Sequence, residues 1–220
     1  MNRPTIIINC AMSVDGKIAL PSGEQMRISS NEDMERVHHL RNSCDGVLVG
    51  VGAVLSDDPK LTVKEKYVDK VKQPTRIVLD TFCKTPIDAL VVNDKAHTII
   101  CYHRNDEKKT YGKSVELIKC GLSSPGYLDL SDVLKKLYEK GLRTILVEGG
   151  GTTMWSFLRY GFVDDLYVYM RSIIIGGKQT PTMAEGEGIS DPSQAIALNL
   201  VDYMNFNEGL LLHYQPFHPS

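Results

Sequence analysis

The sequence predicts an α/β protein: a mostly parallel central sheet with helices on both faces and an antiparallel hairpin at the C-terminus. Three observations predict it. Short β-branched runs such as Thr5–Cys10 and Arg143–Val147 alternate with helical patterns such as Ser131–Lys140, the order of a parallel sheet wound with crossover helices. Runs such as Gly46–Val51 are apolar without alternation, as in strands covered on both faces. The last two runs, Leu198–Phe206 and Gly209–Tyr214, are separated by Asn207-Glu208 alone, and two residues permit only an antiparallel hairpin.

Each element has a local reason. Thr5–Cys10 (TIIINC) is the first strand, and Asp15-Gly16 turns the chain after it. Ser29 and Glu32 have the capping-box spacing, and Glu32-Asp33 suit a first turn, so a helix runs from there to about Cys44. Gly46–Val51 is the second strand. Ala53–Ser56 is a short helical turn, stopped at Asp57-Asp58-Pro59. The charged stretch Lys64–Pro74 reads as an exposed connection. Thr75–Asp80 and Ala96–Tyr102 are strands, Asp106–Lys113 a polar segment with room for a short helix, and Ser114–Lys119 a further strand. Ser131–Lys140 is an amphipathic helix capped by Ser131 and ended by Gly141. Arg143–Val147 leads through three glycines into the helix Thr152–Tyr160, and Asp165–Met170 is the strand before a long Gly- and Pro-rich segment, Gly176–Pro192. One domain covering residues 1–220 is the simplest reading of this length.

Composition narrows the function. The formal net charge is −2, which argues against a nucleic-acid partner. No apolar run approaches the roughly 20 residues of a membrane span, so no membrane partner is expected. The five cysteines are scattered, with no CxxC pair. They read as small buried side chains in a reducing, cytoplasmic protein.

The strongest local signal is Ile145–Thr153 (ILVEGGGTT), an apolar strand running into glycines that open a helix. Glycines let a backbone approach a ligand, and the free amides of a helix start attract an anion such as a pyrophosphate. A tight strand-to-helix turn is the plainer alternative. Glu148 ends that strand, where open α/β sheets bind ligands. It could hold amino groups of a heterocycle or relay a proton, or simply be an acid near a helix N-terminus. A second strand ends in glycines at Gly50–Lys64 (GVGAVLSDDPKLTVK). Its Asp57-Asp58 pair lacks a His or Glu partner, so no metal is expected; Lys60 and Lys64 suit phosphate. His38 and His39 are adjacent on one helix, point in different directions and read as solvated surface.

Taken together, MSVDGKIA, ISSNEDMERVHHLRNSCDGVLVGVGAVLSDDPKLTV, PTRIVLD, ILVEGGGTTMWSFL and GFVDDLYVYMRSIIIGG, in this order, resemble the reductase domain of riboflavin biosynthesis, most closely its stand-alone archaeal and fungal form. The resemblance covers nearly the whole chain. It implies a dihydrofolate-reductase-like fold, NADPH as cofactor with NADH as the alternative, a phosphorylated pyrimidine substrate and a homodimer, with which the strand holding Tyr167-Val168-Tyr169 is compatible. The motifs of the zinc deaminase that often precedes this domain are absent from the sequence, which favours a substrate still carrying both amino groups. By position, the resemblance implies cofactor contacts at Ala11, Arg27, Ala53, Asp57, Thr81 and Gly149, Gly150, Gly151, Thr152 and Thr153. It implies substrate contacts at Gln25, Arg41, Leu61, Lys64 and Glu148, with Arg41 and Lys64 on the 5′-phosphate and Glu148 and Asp57 as the catalytic carboxylates. Two departures from many relatives are Ala53, where a Thr is common, and Arg171-Ser172, where Ala-Pro is common. The deaminated pyrimidine and dihydrofolate are alternative substrates, and a nucleotide-sensing module on the same fold is the non-enzymatic alternative.

Overall fold

The computed structural model describes residues 2–22, 26–124 and 126–217. In chain order its elements are β1 (Thr5–Ser13), α1 (Asn31–Ser43), β2 (Gly46–Gly50), α2 (Val51–Asp57), β3 (Thr75–Leu79), β4 (Thr98–Tyr102), β5 (Val115–Lys119), β6 (Leu122–Ser124), β7 (Tyr127–Leu128), α3 (Leu130–Glu139), β8 (Thr144–Gly149), α4 (Gly151–Arg159), β9 (Asp165–Arg171), β10 (Leu198–Phe206) and β11 (Gly209–Pro216). Contacts divide the chain into two compact units, Met1–Thr5 with His38–Leu146 and Ile6–Val37 with Val147–Ser220. The division passes through α1 and β8.

In the first unit the strand order is β8-β2-β3-β4-β5, and β2 to β5 run parallel, with Gly46 beside Thr75, Arg76 beside Thr98 and Thr98 beside Val115. All five residues of β2 are buried, as an apolar run without alternation requires. In α3, Leu130, Val133, Leu134 and Leu137 form one buried stripe. Its cap is Asp129, which accepts the Ser131 amide at 2.9 Å; the expected cap, Ser131, lies one residue inside the helix. Likewise Ser30, not Ser29, caps α1, its Oγ accepting the Asp33 amide at 3.1 Å. Asp106–Lys113 forms turns rather than a helix, since its polar residues offer no apolar stripe to bury. Leu122–Ser124 and Tyr127–Leu128 form a small hairpin that the sequence did not announce.

Arg76 of β3 is wholly buried. Nε donates to Thr98 Oγ1 at 2.9 Å and Nη1 to Leu90 O at 3.1 Å, while Nη2 reaches the carbonyls of Asn93 and Ala96. A guanidinium whose donors all meet oxygen can be buried without a carboxylate.

In the second unit the order is β10-β11-β9-β1-β8. β1 and β9 are parallel, Ile7 beside Asp165 through Ser13 beside Arg171. β11 runs antiparallel to β9, and β10 antiparallel to β11, closing the expected hairpin. Tyr169, Phe206 and Leu211 form one buried apolar cluster here, with Ala11 and Tyr167 against it. Tyr169 is buried and β9 is an interior strand, so Tyr167–Tyr169 is not a surface open to a partner. The open edge is β10, where every residue from Leu198 to Asn205 is exposed. Asp15 accepts the amides of Ile175 and Gly176 at 3.1 and 2.7 Å. The Ser13 hydroxyl first, then these amides, hold its carboxyl down to about 2, and the amide bonds tie the turn after β1 to the start of the irregular segment. All five cysteines are buried free thiols, as the sequence reading expects.

Candidate active site

In the first unit the chain from Leu61 to Lys64 is held in place group by group. Leu61 is buried with φ of 49°, a left-handed conformation that costs a bulky residue strain unless its surroundings enforce it. Arg41 Nη1, from the last turn of α1, donates to Thr62 O at 3.1 Å. The Gln73 amide spans Val63, accepting its N–H and donating to its carbonyl, both at 2.9 Å. His38, one turn before Arg41, accepts the Lys64 N–H on Nδ1 at 3.3 Å. Three side chains therefore fix three consecutive residues, and Arg41, Leu61 and Lys64, three of the expected substrate contacts, lie on or against this one short segment.

His38 is the residue the sequence reading misplaced. It is 1% exposed, while His39 beside it is exposed. Adjacent helical residues lie about 100° apart, and Met34 and Val37 mark the side that His38 shares. The Tyr67 ring stacks on it at 4.7 Å and 14°, and Lys66 Nζ lies 4.4 Å from the Tyr67 centroid. Burial first, then the charges of Arg41, Lys64, Lys66 and His39, push its pKa down to about 4. The ring is therefore neutral near pH 7. Because Nδ1 accepts an amide, its proton is on Nε2; among the described residues Nε2 is buried and has no hydrogen-bond partner. Gln73 was equally invisible, lying in a stretch whose charges suggested only an exposed connection.

The other expected residues of this unit lie at strand ends. Ala53 is half-buried in α2 and Asp57 is the last residue of that helix. Asp58 caps α2 in a left-handed conformation, φ of 42°, and its Oδ1 accepts the Leu90 amide at 2.7 Å. Asp58 is thus structural. Thr81 follows β3, with its hydroxyl donating to Gly126 O at 2.9 Å and its carbonyl accepting the amides of His103 and Arg104, both at 3.0 Å.

In the second unit Glu148 is half-buried at the C-terminal end of β8, followed by Gly149 and by Gly150 with φ of 84°. Gly150 is the N-cap of α4, and the helix has no acidic residue in its first turn. The amides of Gly151, Thr152 and Thr153 have no carbonyl one turn back to bond, and Thr153 Oγ1 faces the Gly150 side, 3.3 Å from where a Cβ would stand. Gly151 serves a different purpose. A Cβ there would lie 2.5 Å from Thr182 O and 2.7 Å from Glu185 Cγ, so the missing side chain admits the segment Thr182–Glu185. Glu185 in turn donates its amide to Gly151 O at 3.2 Å and accepts the Thr182 amide at 3.0 Å. Ala11 of β1 packs against the Tyr169 core. Arg27 is exposed; Nη2 donates to Asn31 Oδ1 at 2.5 Å, and its carbonyl accepts from Arg171 Nη1 at 3.0 Å. Gln25 lies outside the described residues. Among the described residues no three His, Cys, Asp or Glu side chains group as a metal site would need, and no helix is long and apolar enough to cross a membrane.

The family model described as "RibD C-terminal domain" matches residues 4–212. The chain is 35% identical over 212 residues to the 2,5-diamino-6-ribosylamino-4(3H)-pyrimidinone 5′-phosphate reductase of Methanothermobacter thermautotrophicus, covering 96% of this chain and 98% of that protein. It is 36% identical over 192 residues to the reductase of the same name from Archaeoglobus fulgidus, covering 84% of this chain and 88% of that one. Among solved structures, the diaminohydroxyphosphoribosylaminopyrimidine deaminase/5-amino-6-(5-phosphoribosylamino)uracil reductase of Thermotoga maritima superposes with a TM-score of 0.81 at 27% identity, over 98% of this chain. This chain spans only 57% of that one. The riboflavin biosynthesis reductase of Saccharomyces cerevisiae superposes with a TM-score of 0.74 at 21% identity, a likeness of fold. The expected dihydrofolate-reductase-like α/β fold is the one these neighbours share. With the match running from residue 4 to residue 212, the chain belongs to the RibD C-terminal domain family, the reductases of riboflavin biosynthesis.

Proposed function

We propose that this protein reduces the ribosylamino side chain of 2,5-diamino-6-(5-phosphoribosylamino)pyrimidin-4(3H)-one to the ribitylamino product, with NADPH as reductant. The observation that carries the reading is the 35% identity spread over 98% of an archaeal reductase of that name. The residues at the two strand ends support it. The amides at the start of α4 and the Thr153 hydroxyl, with no acid in the first turn, suit the pyrophosphate of a nicotinamide nucleotide. They do so on the Gly150 side, because Thr182 and Glu185 take the Gly151 side. Ala11, Arg27, Ala53, Asp57 and Thr81 complete the proposed cofactor contacts, with Ala53 limited to its backbone.

Arg41 and Lys64 grip the 5′-phosphate in this reading, one as a planar fork and the other as a point charge, with Leu61 beside the rest of the substrate. The furanose opens as the lone pair of the amino nitrogen expels O4′, which takes a proton from solvent and becomes a hydroxyl, leaving a cationic iminium at C1′. When bound, NADPH supplies the hydride that C1′ accepts. Glu148 holds the pyrimidine and, with Asp57, stabilises the positive charge developing at C1′. The remaining catalysis is orientation of substrate against cofactor. The five buried thiols support a reducing, cytoplasmic setting. The exposed apolar strand β10, with Tyr203 66% and Leu200 52% exposed, supports a homodimer.

The test is the loss of NADPH absorbance with freshly made diamino substrate, set against the deaminated pyrimidine, dihydrofolate and NADH. Rapid oxidation with the diamino compound alone is expected. Preference for the deaminated compound would move the step after deamination, and NADPH binding without turnover on any substrate would favour a sensing module. Glu148→Gln is expected to lower kcat by about 100-fold, and Arg41→Ala to raise KM about tenfold with kcat nearly unchanged.

A further inference from the structure

We propose that His38 is the positioning residue of the phosphate contact: its neutral imidazole holds the Lys64 backbone so that the Lys64 ammonium and the Arg41 guanidinium face one anion. The inference rests on the reading of Arg41 and Lys64 as phosphate contacts. His38 and Arg41 stand one turn apart on α1 and grip the same short segment at two points, Lys64 N–H at 3.3 Å and Thr62 O at 3.1 Å. The geometry is specific to one atom. Only Nδ1 reaches the Lys64 amide, and it can accept only while the ring is uncharged.

The surroundings keep it so. A charged imidazole there would be wholly enclosed among Arg41, Lys64 and Lys66, with the Tyr67 ring stacked against it. An acid in this place would hold Lys64 as well, but it would also neutralise the field that draws an anion. A buried neutral acceptor fixes the backbone without itself adding a negative charge beside Arg41 and Lys64. That is why the residue is a histidine at 1% exposure and not an aspartate.

The test uses the full-length protein at saturating NADPH and compares the phosphorylated substrate with its dephosphorylated nucleoside. Asn puts its amide oxygen where His has Nδ1, one bond beyond Cγ; Gln puts it one bond farther, where His has Nε2. Both lose the ring equally, so they differ only in whether Lys64 keeps its acceptor. His38→Gln and His38→Ala are expected to lower the ratio of kcat/KM on the phosphorylated over the dephosphorylated substrate about tenfold, through KM, whereas His38→Asn stays within about threefold of the wild type. Equal loss on both substrates, or Asn and Gln behaving alike, would overturn the inference by showing that His38 only fills space. If Arg41→Ala raises KM and His38→Gln does not, the phosphate reading stands and His38 falls alone. If Arg41→Ala leaves the ratio unchanged, the phosphate contact itself is misplaced and the inference falls with it.

Discussion

Arg76 Nη1 donates to Asn93 Oδ1 at 2.8 Å inside a guanidinium that has no exposed surface. Asn93 Oδ1 also accepts the Lys95 amide at 3.0 Å, so one side-chain oxygen joins β3 to the loop that leads into β4. Replacing Arg76 with Met would leave the carbonyls of Leu90, Asn93 and Ala96 without these donors in a dry interior. Arg76→Met is expected to destabilise the protein by about 3–5 kcal/mol, and Arg76→Lys to recover little, since an ammonium cannot reach the same set of oxygens. Urea unfolding measures both. A loss below about 1 kcal/mol for the Met variant would mean that packing, not the hydrogen bonds, governs this position.

The displaced titration of His38 makes stability depend on pH. The folded pKa is about 4 against an ordinary 6.5. Between those values the unfolded chain binds a proton that the folded chain refuses. Stability is therefore full above pH 6.5 and falls as pH drops toward 4, by an amount on the order of 2 kcal/mol. Asp15, held at about 2 against an ordinary 3.8, loses its contribution only below this window. The His38→Asn variant is expected to show a flatter stability profile across the window than the wild type. Parallel profiles by urea unfolding would show that other groups set the slope.

Much of the fold was legible because its signals are local and periodic. The run Gly46–Val51 could hardly be anything but a buried strand, and Asn207-Glu208 left Leu198–Phe206 no partner but its neighbour. What escaped the sequence is what depends on contacts across long separations. Nothing in PTRIVLD marks Arg76 as buried, because its acceptors are carbonyls of residues 90, 93 and 96. His38 could have been placed better: two adjacent histidines cannot share one solvent face, and Met34 and Val37 point to the one that turns inward. Gln73 gave no signal, since its bonds go to the backbone of Val63, ten residues back. The glycines of ILVEGGGTT suggest either an anion contact or a tight turn, and the sequence does not show that their work is divided: Gly150 has a positive φ and Gly151 a close packing contact.

That division predicts different costs. Gly151→Ala sets a Cβ 2.5 Å from Thr182 O, a backbone atom, and 2.7 Å from Glu185 Cγ. The segment Thr182–Glu185 must move, and the variant is expected to lose about 1–3 kcal/mol of stability and to bind NADPH several-fold more weakly. Gly52→Ala is the contrast. It lies within α2 with nothing within 4 Å of the added atom, and it is expected to gain up to about 1 kcal/mol. Thermal unfolding with a cofactor titration separates the two. Equal behaviour would show that the Thr182–Glu185 packing yields without cost.

The edge strand β10 makes the sharpest prediction about assembly. Leu198, Leu200, Val201, Tyr203 and Met204 are each between 38% and 66% exposed, and Asp202 is the one charge in its nine residues. Val201 is the extra residue where the register with β11 shifts, so the apolar side chains are not confined to one face. A natural edge of this length is usually guarded by charges, proline or a covering element. An edge that lacks them suits a second copy of itself, since an antiparallel pairing about a two-fold axis satisfies both backbones at once. Tyr203→Lys puts a charge at the most exposed apolar position of the strand. The wild type is expected to sediment as a dimer, and the variant to dissociate with a constant about 100-fold larger while keeping its fold by circular dichroism. Identical sedimentation of the two proteins would place the homodimer contact elsewhere, and a wild type that sediments as a monomer at high concentration would remove the homodimer from the reading altogether.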